Sequence, residues 1–203
     1  MKAKPEENKT NAHSSRKAIR QNPVQIKLLL LGDGRVGKTS LRRRYMGQGF
    51  KEEYLETLGA DFTIKNVEFN NLIIRYNIWD IAGQPKFQQI RKGFFTGAQA
   101  ALVLYDITEK SSFNNIENWI NELISNNGKG SFLPIMIIGN KIDLRDKVET
   151  ISYTEGKNLI KGLLDKFDLP NITFLETSAK NGKNVEKAFE QITKSFLEMH
   201  DLV

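Results

Sequence analysis

The stretch Gly32-Asp33-Gly34-Arg35-Val36-Gly37-Lys38-Thr39-Ser40 constrains this chain more than any other. It fits G-x-x-x-x-G-K-[ST], the phosphate-binding loop pattern. Before it runs Ile26-Lys27-Leu28-Leu29-Leu30-Leu31, an apolar segment of strand length, and after it a segment that reads as a helix over residues 38–46. Strand, glycine loop and helix together make an anion cradle. Glycines let successive backbone N–H groups converge on phosphate oxygens, and the helix start adds the positive end of its dipole. Lys38 would reach the β- and γ-phosphates, and the Thr39 hydroxyl would ligate Mg²⁺. At average residue usage a chance match arises in roughly one chain of this size in a hundred or fewer. A nucleoside triphosphate is implied; the base and the reaction are not.

Composition narrows the class. The chain has 203 residues, enough for one α/β domain with a full core, and its longest apolar run is far short of a membrane span. It contains no cysteine, which removes disulfides, thiol catalysis, cysteine-ligated zinc, prenylation and palmitoylation, and Lys2 removes N-myristoylation. An intracellular, cytoplasmic protein is expected. The net charge is +6, and residues 1–24 hold six basic residues against Glu6 and Glu7, so +4 of it lies there. Residues 1–24 are expected to be a disordered basic extension, and residues 25–203 one domain. The extension reads as a solvated tail, with weak electrostatic contact to an anionic membrane as the alternative and no specific nucleic-acid partner.

Further along, strands and helices alternate. Residues 61–65 and 72–78 alternate apolar and polar across Asn70-Asn71, which predicts an antiparallel hairpin. Residues 102–105, 133–139 and 172–176 read as buried strands, and helical spacing predicts helices over 111–125, with Ser111 or else Ser112 as N-cap, 153–167 and 185–200. The expected fold is an open, mostly parallel six-stranded sheet with one antiparallel edge strand and helices on both faces.

Four more stretches sit at or near strand ends. Asp80-Ile81-Ala82-Gly83-Gln84 offers a carboxylate for Mg²⁺ at Asp80, a close backbone approach at Gly83, and Gln84 to orient an attacking water. In Asn140-Lys141-Ile142-Asp143, the Asp143 carboxylate can accept from both the N1–H and the 2-amino group of guanine; adenine offers neither donor. Ser178-Ala179-Lys180 follows the last strand, where the Ala179 N–H can meet guanine O6. In the loop after the first helix, Thr57 can complete the Mg²⁺ shell and Phe50 can lie against the base. Each of these alone is an ordinary turn or surface residue; their order carries the weight.

In that order they resemble the Ras superfamily of small GTPases over residues 25–200, and within it the Rab branch. The Rab-like signals are Leu58-Gly59-Ala60-Asp61-Phe62, Trp79-Asp80, Gly97-Ala98 and Leu104-Tyr105-Asp106-Ile107-Thr108. The resemblance implies a monomeric P-loop GTPase that is on with GTP and off with GDP, acting in vesicle trafficking or a related regulatory role. Residues 47–60 would be switch I and 81–97 switch II. Hydrolysis would be in-line attack by water held by Gln84, with Mg²⁺ and Lys38 stabilising charge. Arg35 is near the phosphates but faces solvent, so intrinsic turnover is expected to be slow. Effectors, exchange factors and GTPase-activating proteins are the implied partners, with Phe62, Trp79 and Phe94 at the positions of an effector-facing aromatic triad. Two departures stand out. The chain ends at Asp201-Leu202-Val203 without the prenylated cysteines of Rab tails, so membrane contact is expected only through a partner. Pro85 stands where the branch usually has Glu, which keeps a non-hydrolysing, GTP-bound scaffold as the alternative.

Overall fold

A computed structural model describes residues 22–50, 56–128, 132–167, 169 and 172–203. Six strands form one sheet: β1 (Val24–Leu31), β2 (Ala60–Phe69), β3 (Leu72–Ile81), β4 (Ala100–Asp106), β5 (Ile135–Asn140) and β6 (Ile172–Glu176). Their order is β2-β3-β1-β4-β5-β6. Only the β2–β3 pair is antiparallel, and β2 lies at the edge. The hairpin turns at Asn70 (φ 48°) and Asn71 (φ 65°), where asparagine tolerates a left-handed backbone that most side chains do not. β2 is longer than its alternation suggests, because it pairs with β3 from Ala60↔Ile81 to Phe69↔Leu72.

The helices are α1 (Lys38–Tyr45), α2 (Gln88–Phe95), α3 (Lys110–Asn114), α4 (Ile116–Asn127), α5 (Tyr153–Phe167) and α6 (Val185–Met199). They cover both faces. In β1, Leu28 and Leu30 belong to one core with Leu41, Tyr45, Phe189 and Phe196, while Leu29 and Leu31 belong to the other with Phe95, Trp119 and Leu123. All four leucines are fully buried. A strand covered on both sides needs a continuous apolar run rather than alternation, which is the pattern β1 has.

The segment expected as one helix over 111–125 is instead two. Its cap is Glu109, whose side chain accepts from the Ser111 N–H, not Ser111. The break falls at Asn115, whose amide donates to Asp33 Oδ1 at 2.6 Å while its own Oδ1 accepts from Asn118. Periodicity continues through the break, so spacing alone does not reveal it. Residues 1–21 of the expected basic extension and residues 51–55 of the expected switch I lie outside the described residues. Among the described residues no helix is long and apolar enough to cross a membrane.

Candidate functional site

Parallel strands place their carboxyl ends along one edge of the sheet, and ligands bind in the crevice there. Here that edge holds a cleft of about 580 Å³. One end is formed by Gly34, Arg35, Gly37, Lys38, Thr39 and Ser40 of the glycine loop, the flank by Thr57, Gly83 and Gln84, and the other end by Phe50, Asn140, Lys141, Asp143, Ala179 and Lys180. The loops after β1, β3, β5 and β6, far apart in sequence, therefore meet in one place.

The glycine loop is shaped around Lys38. Its Nζ donates to the Gly32 and Asp33 carbonyls at 2.6 and 2.7 Å, which wraps the loop over the amine. Burial lowers the Lys38 pKa to about 8, with Asp80 and Asp33 opposing the shift. An arriving phosphate would raise the pKa again by favouring the charged form. Gly37 has φ 99°, and a Cβ there would overlap the Asn140 amide. A Cβ at Gly83 would overlap the backbone of residues 32–34, so the segment expected as switch II rests directly on the loop. Gly32, Asp33 and Val36 do not line the cleft. The Asp33 carboxylate accepts from Asn115 and from the Trp119 indole N–H at 2.7 Å. Arg35 is exposed, as expected of a residue facing solvent.

Beside Lys38 lies a set of hard oxygens. The Thr39 hydroxyl donates to Asp80 Oδ2 at 2.5 Å and lies 3.2 Å from the Thr57 hydroxyl. Asp80 is fully buried, and burial raises its pKa against the Thr39 hydrogen bond and the charges of Lys38 and Arg42. Its Oδ1 has no hydrogen-bond partner among the described residues. Two hydroxyls and a carboxylate with an orphaned buried oxygen are the donor chemistry Mg²⁺ takes alongside phosphate oxygens and water, so these residues fit the ion.

The far end is a buried hydrogen-bond knot. Asn140, 1% exposed, donates to the Val36 carbonyl at 2.9 Å and accepts from Thr177 Oγ1 at 3.0 Å and the Ala179 N–H at 3.1 Å. One side chain thus ties the loops after β1, β5 and β6. The Ala179 N–H, read from sequence as a guanine donor, is directed at Asn140 here. Ser178 lies behind the cleft wall and donates to Asp143 Oδ1 at 2.5 Å, fixing the carboxylate that faces the cleft. Lys141 Nζ pairs with Asp106 at 2.5 Å, and Lys180 Nζ lies 5.9 Å from the Phe50 ring centroid.

Gln84 is extended (φ −81°, ψ 142°), as a residue before proline is biased to be, and a 3₁₀ turn begins at Pro85. Sequence reading missed what holds it. Arg91 Nη1 donates to the Gln84 carbonyl at 3.1 Å, forms a two-pronged pair with Glu122 at 2.7 and 2.6 Å, and lies 4.2 Å over the Trp119 ring. Arg44 was missed too: it donates to the Ala179 and Lys180 carbonyls. These are contacts between distant elements, and no spacing rule marks them. The aromatic triad does assemble. Trp79 lies 5.1 Å from Phe62 and 5.6 Å from Phe94, centroid to centroid, and Phe62 is 46% exposed.

Comparison with known proteins agrees with this geometry. The model of the Ras family matches residues 27–198. Among curated proteins, the chain is 41% identical to the Ras-related protein RIC1 of Oryza sativa, over 81% of this chain and 76% of that one. It is 38% identical to the Ypt/Rab-type GTPase YPT7 of Saccharomyces cerevisiae, covering 86% and 83%. It is likewise 38% identical to the Ras-related protein Rab7 of Pisum sativum, covering 85% and 82%. With the six-stranded sheet and the phosphate loop at its switch point, these matches show that the chain belongs to the Ras family and is a small GTPase of the Rab-like kind.

Proposed function

We propose that the protein is a Mg²⁺-dependent, guanine-selective switch of the Rab-like kind, acting in membrane trafficking. It hydrolyses GTP slowly by itself and offers the Phe62–Trp79–Phe94 surface to effectors in the GTP state. The observation that carries this reading is the division of one cleft into two chemistries. A carboxylate fixed by Ser178 lies at one end, and Lys38 with the Thr39–Thr57–Asp80 oxygens lies at the other.

In this reading the Gly34–Ser40 amides and Lys38 bind the phosphates, Asp143 accepts from the guanine edge, and Phe50 covers the base. Thr39, Thr57 and Asp80 hold Mg²⁺, which when bound neutralises charge on the phosphate oxygens. Thr57 and Gly83 belong to the two switches and rest against the phosphate loop, so a γ-phosphate has a contact in each switch that GDP lacks. Gln84 orients the attacking water, and its backbone is held for this by Pro85 and Arg91. Exchange factors and GTPase-activating proteins supply the fast steps, an added arginine raising hydrolysis by about 10³–10⁵. The unit is a monomer, and its membrane contact is peripheral and made through a partner.

The same tether supports the second reading. If Pro85 and Arg91 hold Gln84 away from the γ-phosphate, the protein is a lasting GTP-bound platform. Single-turnover GTP hydrolysis in wild type, Gln84→Leu and Pro85→Glu separates them. The switch requires wild type to exceed Gln84→Leu. Equal rates, with recovery in Pro85→Glu, mean the platform.

A further inference from the structure

Arg42 is a buried charge that none of the roles above uses. It is 8% exposed, and an isolated guanidinium at such a site is costly unless partners offset it. Its partners are unusual. On α1 it follows Thr39 by three residues, so both side chains lie on one helix face. Thr39 donates to Asp80 Oδ2, and Arg42 Nε approaches the same oxygen to 3.8 Å. The two terminal nitrogens of Arg42 donate to Thr63 and Asp61 of β2. Across the hairpin, Asp61 pairs in register with Asp80. One guanidinium therefore lies between two carboxylates, one at the proposed metal site and one on the strand that follows switch I. Neither contact saturates it: among the described residues, Arg42 Nε and Asp80 Oδ1 are both buried without a hydrogen-bond partner.

The two carboxylates are not equal. Asp80 is fully buried and Asp61 is 56% exposed, so solvent screens the Asp61 charge far more than that of Asp80. A cation in the outer shell of a divalent metal opposes it twice. It repels the ion directly and it draws on the same carboxylate.

We propose that Arg42 is a positioning residue that competes with Mg²⁺ for Asp80 and so weakens the metal at the nucleotide site, and that Asp61 limits this competition by holding the guanidinium toward β2. The inference rests on the Mg²⁺-dependent reading of the site. It makes metal affinity sensitive to the strand joined to switch I. Anything that draws Asp61 off Arg42 transfers the guanidinium to Asp80 and loosens the ion, and with it the nucleotide.

The test is the Mg²⁺ concentration at which release of a bound fluorescent GDP analogue is half-suppressed, measured in four variants, each also melted at saturating GDP and Mg²⁺ to confirm folding. One neighbouring charge ordinarily shifts the equilibrium of a charged group by about tenfold or more at this range. Arg42→Met should therefore lower the midpoint about tenfold. Asp61→Asn should raise it about threefold, being more screened. Arg42→Lys keeps the charge without the fork and should stay near wild type. In Arg42→Met/Asp61→Asn the Asp61 effect should largely vanish. If Arg42 merely braced β2, both single variants would raise the midpoint, and Arg42→Lys would follow Arg42→Met; either result overturns the proposal. So does an Asp61→Asn effect that survives unchanged without Arg42. A wild-type release rate indifferent to Mg²⁺ removes the metal reading itself, and the inference with it. A metal-dependent wild type with an unmoved Arg42→Met removes the inference alone.

Discussion

Asn140→Ala removes a side chain that joins three loops of the cleft. It deletes a donor to the Val36 carbonyl and an acceptor shared by Thr177 Oγ1 and the Ala179 N–H. Leaving a buried polar group unpaired costs about 1–3 kcal/mol. The Thr177 hydroxyl can rotate to another partner, but the Val36 carbonyl and the Ala179 N–H are fixed by the backbone. The expected loss is about 2–6 kcal/mol, a large part of an ordinary domain's stability. Urea unfolding at two fixed GDP concentrations separates its parts, because ligand stabilisation follows concentration over Kd. Both the intrinsic stability and the GDP-dependent increment should fall, since the same bonds align the phosphate loop with the base-binding loops. Asn140→Asp refines the argument. It keeps the acceptor but turns the donor toward Val36 into a repelling oxygen, so it too should destabilise, despite identical size. A loss below about 1 kcal/mol in Asn140→Ala would refute the knot as a structural account.

Other outcomes follow from the same geometry. Asp143→Asn should shift preference from guanine to xanthine nucleotides by about 1–3 kcal/mol, read by competition binding, since xanthine has an oxygen where guanine has its 2-amino group; similar affinities of wild type for ATP and GTP would sink the assignment. Glu122→Gln leaves Arg91 without its buried counter-charge and should cost about 3 kcal/mol or more in urea unfolding; an unchanged midpoint denies the pair its role. GDP affinity should fall as pH rises from about 8 toward 10. Free Lys38 loses its proton near pH 8 and phosphate binding must restore it, so binding takes up a proton in that window, and the affinity falls by up to about tenfold per pH unit. A flat profile in calorimetry across that range would contradict the Lys38 account.

Much of this was legible because local chemistry forced it. The leucine run of β1 admits a strand buried on both faces, Asn70-Asn71 turns the hairpin, and Pro85 sets the backbone of Gln84. That the motifs meet in one cleft was legible because all but the loop carrying Phe50 and Thr57 follow a strand, and a parallel sheet brings such ends together. What stayed hidden depends on distant pairing. The helix break falls at Asn115, whose side-chain amide donates to Asp33, 82 residues away. Arg42, Arg44 and Arg91 belong to no motif, and positive charge on a helix says nothing of which carbonyl or carboxylate waits opposite. The cap at Glu109 was missed because Ser111 matches cap preferences better, yet the helix starts earlier and the Glu109 side chain accepts from the Ser111 N–H.

In the proposed switch, Thr57 and Gly83 let the γ-phosphate order both switch segments. Amide hydrogen exchange measures this directly, comparing the GDP complex with one holding a non-hydrolysable GTP analogue, both with Mg²⁺. The account predicts added protection in the analogue complex at residues 56–60 and 82–90, with β1, β4 and β5 unchanged. Equal exchange in the two complexes across those segments would contradict it.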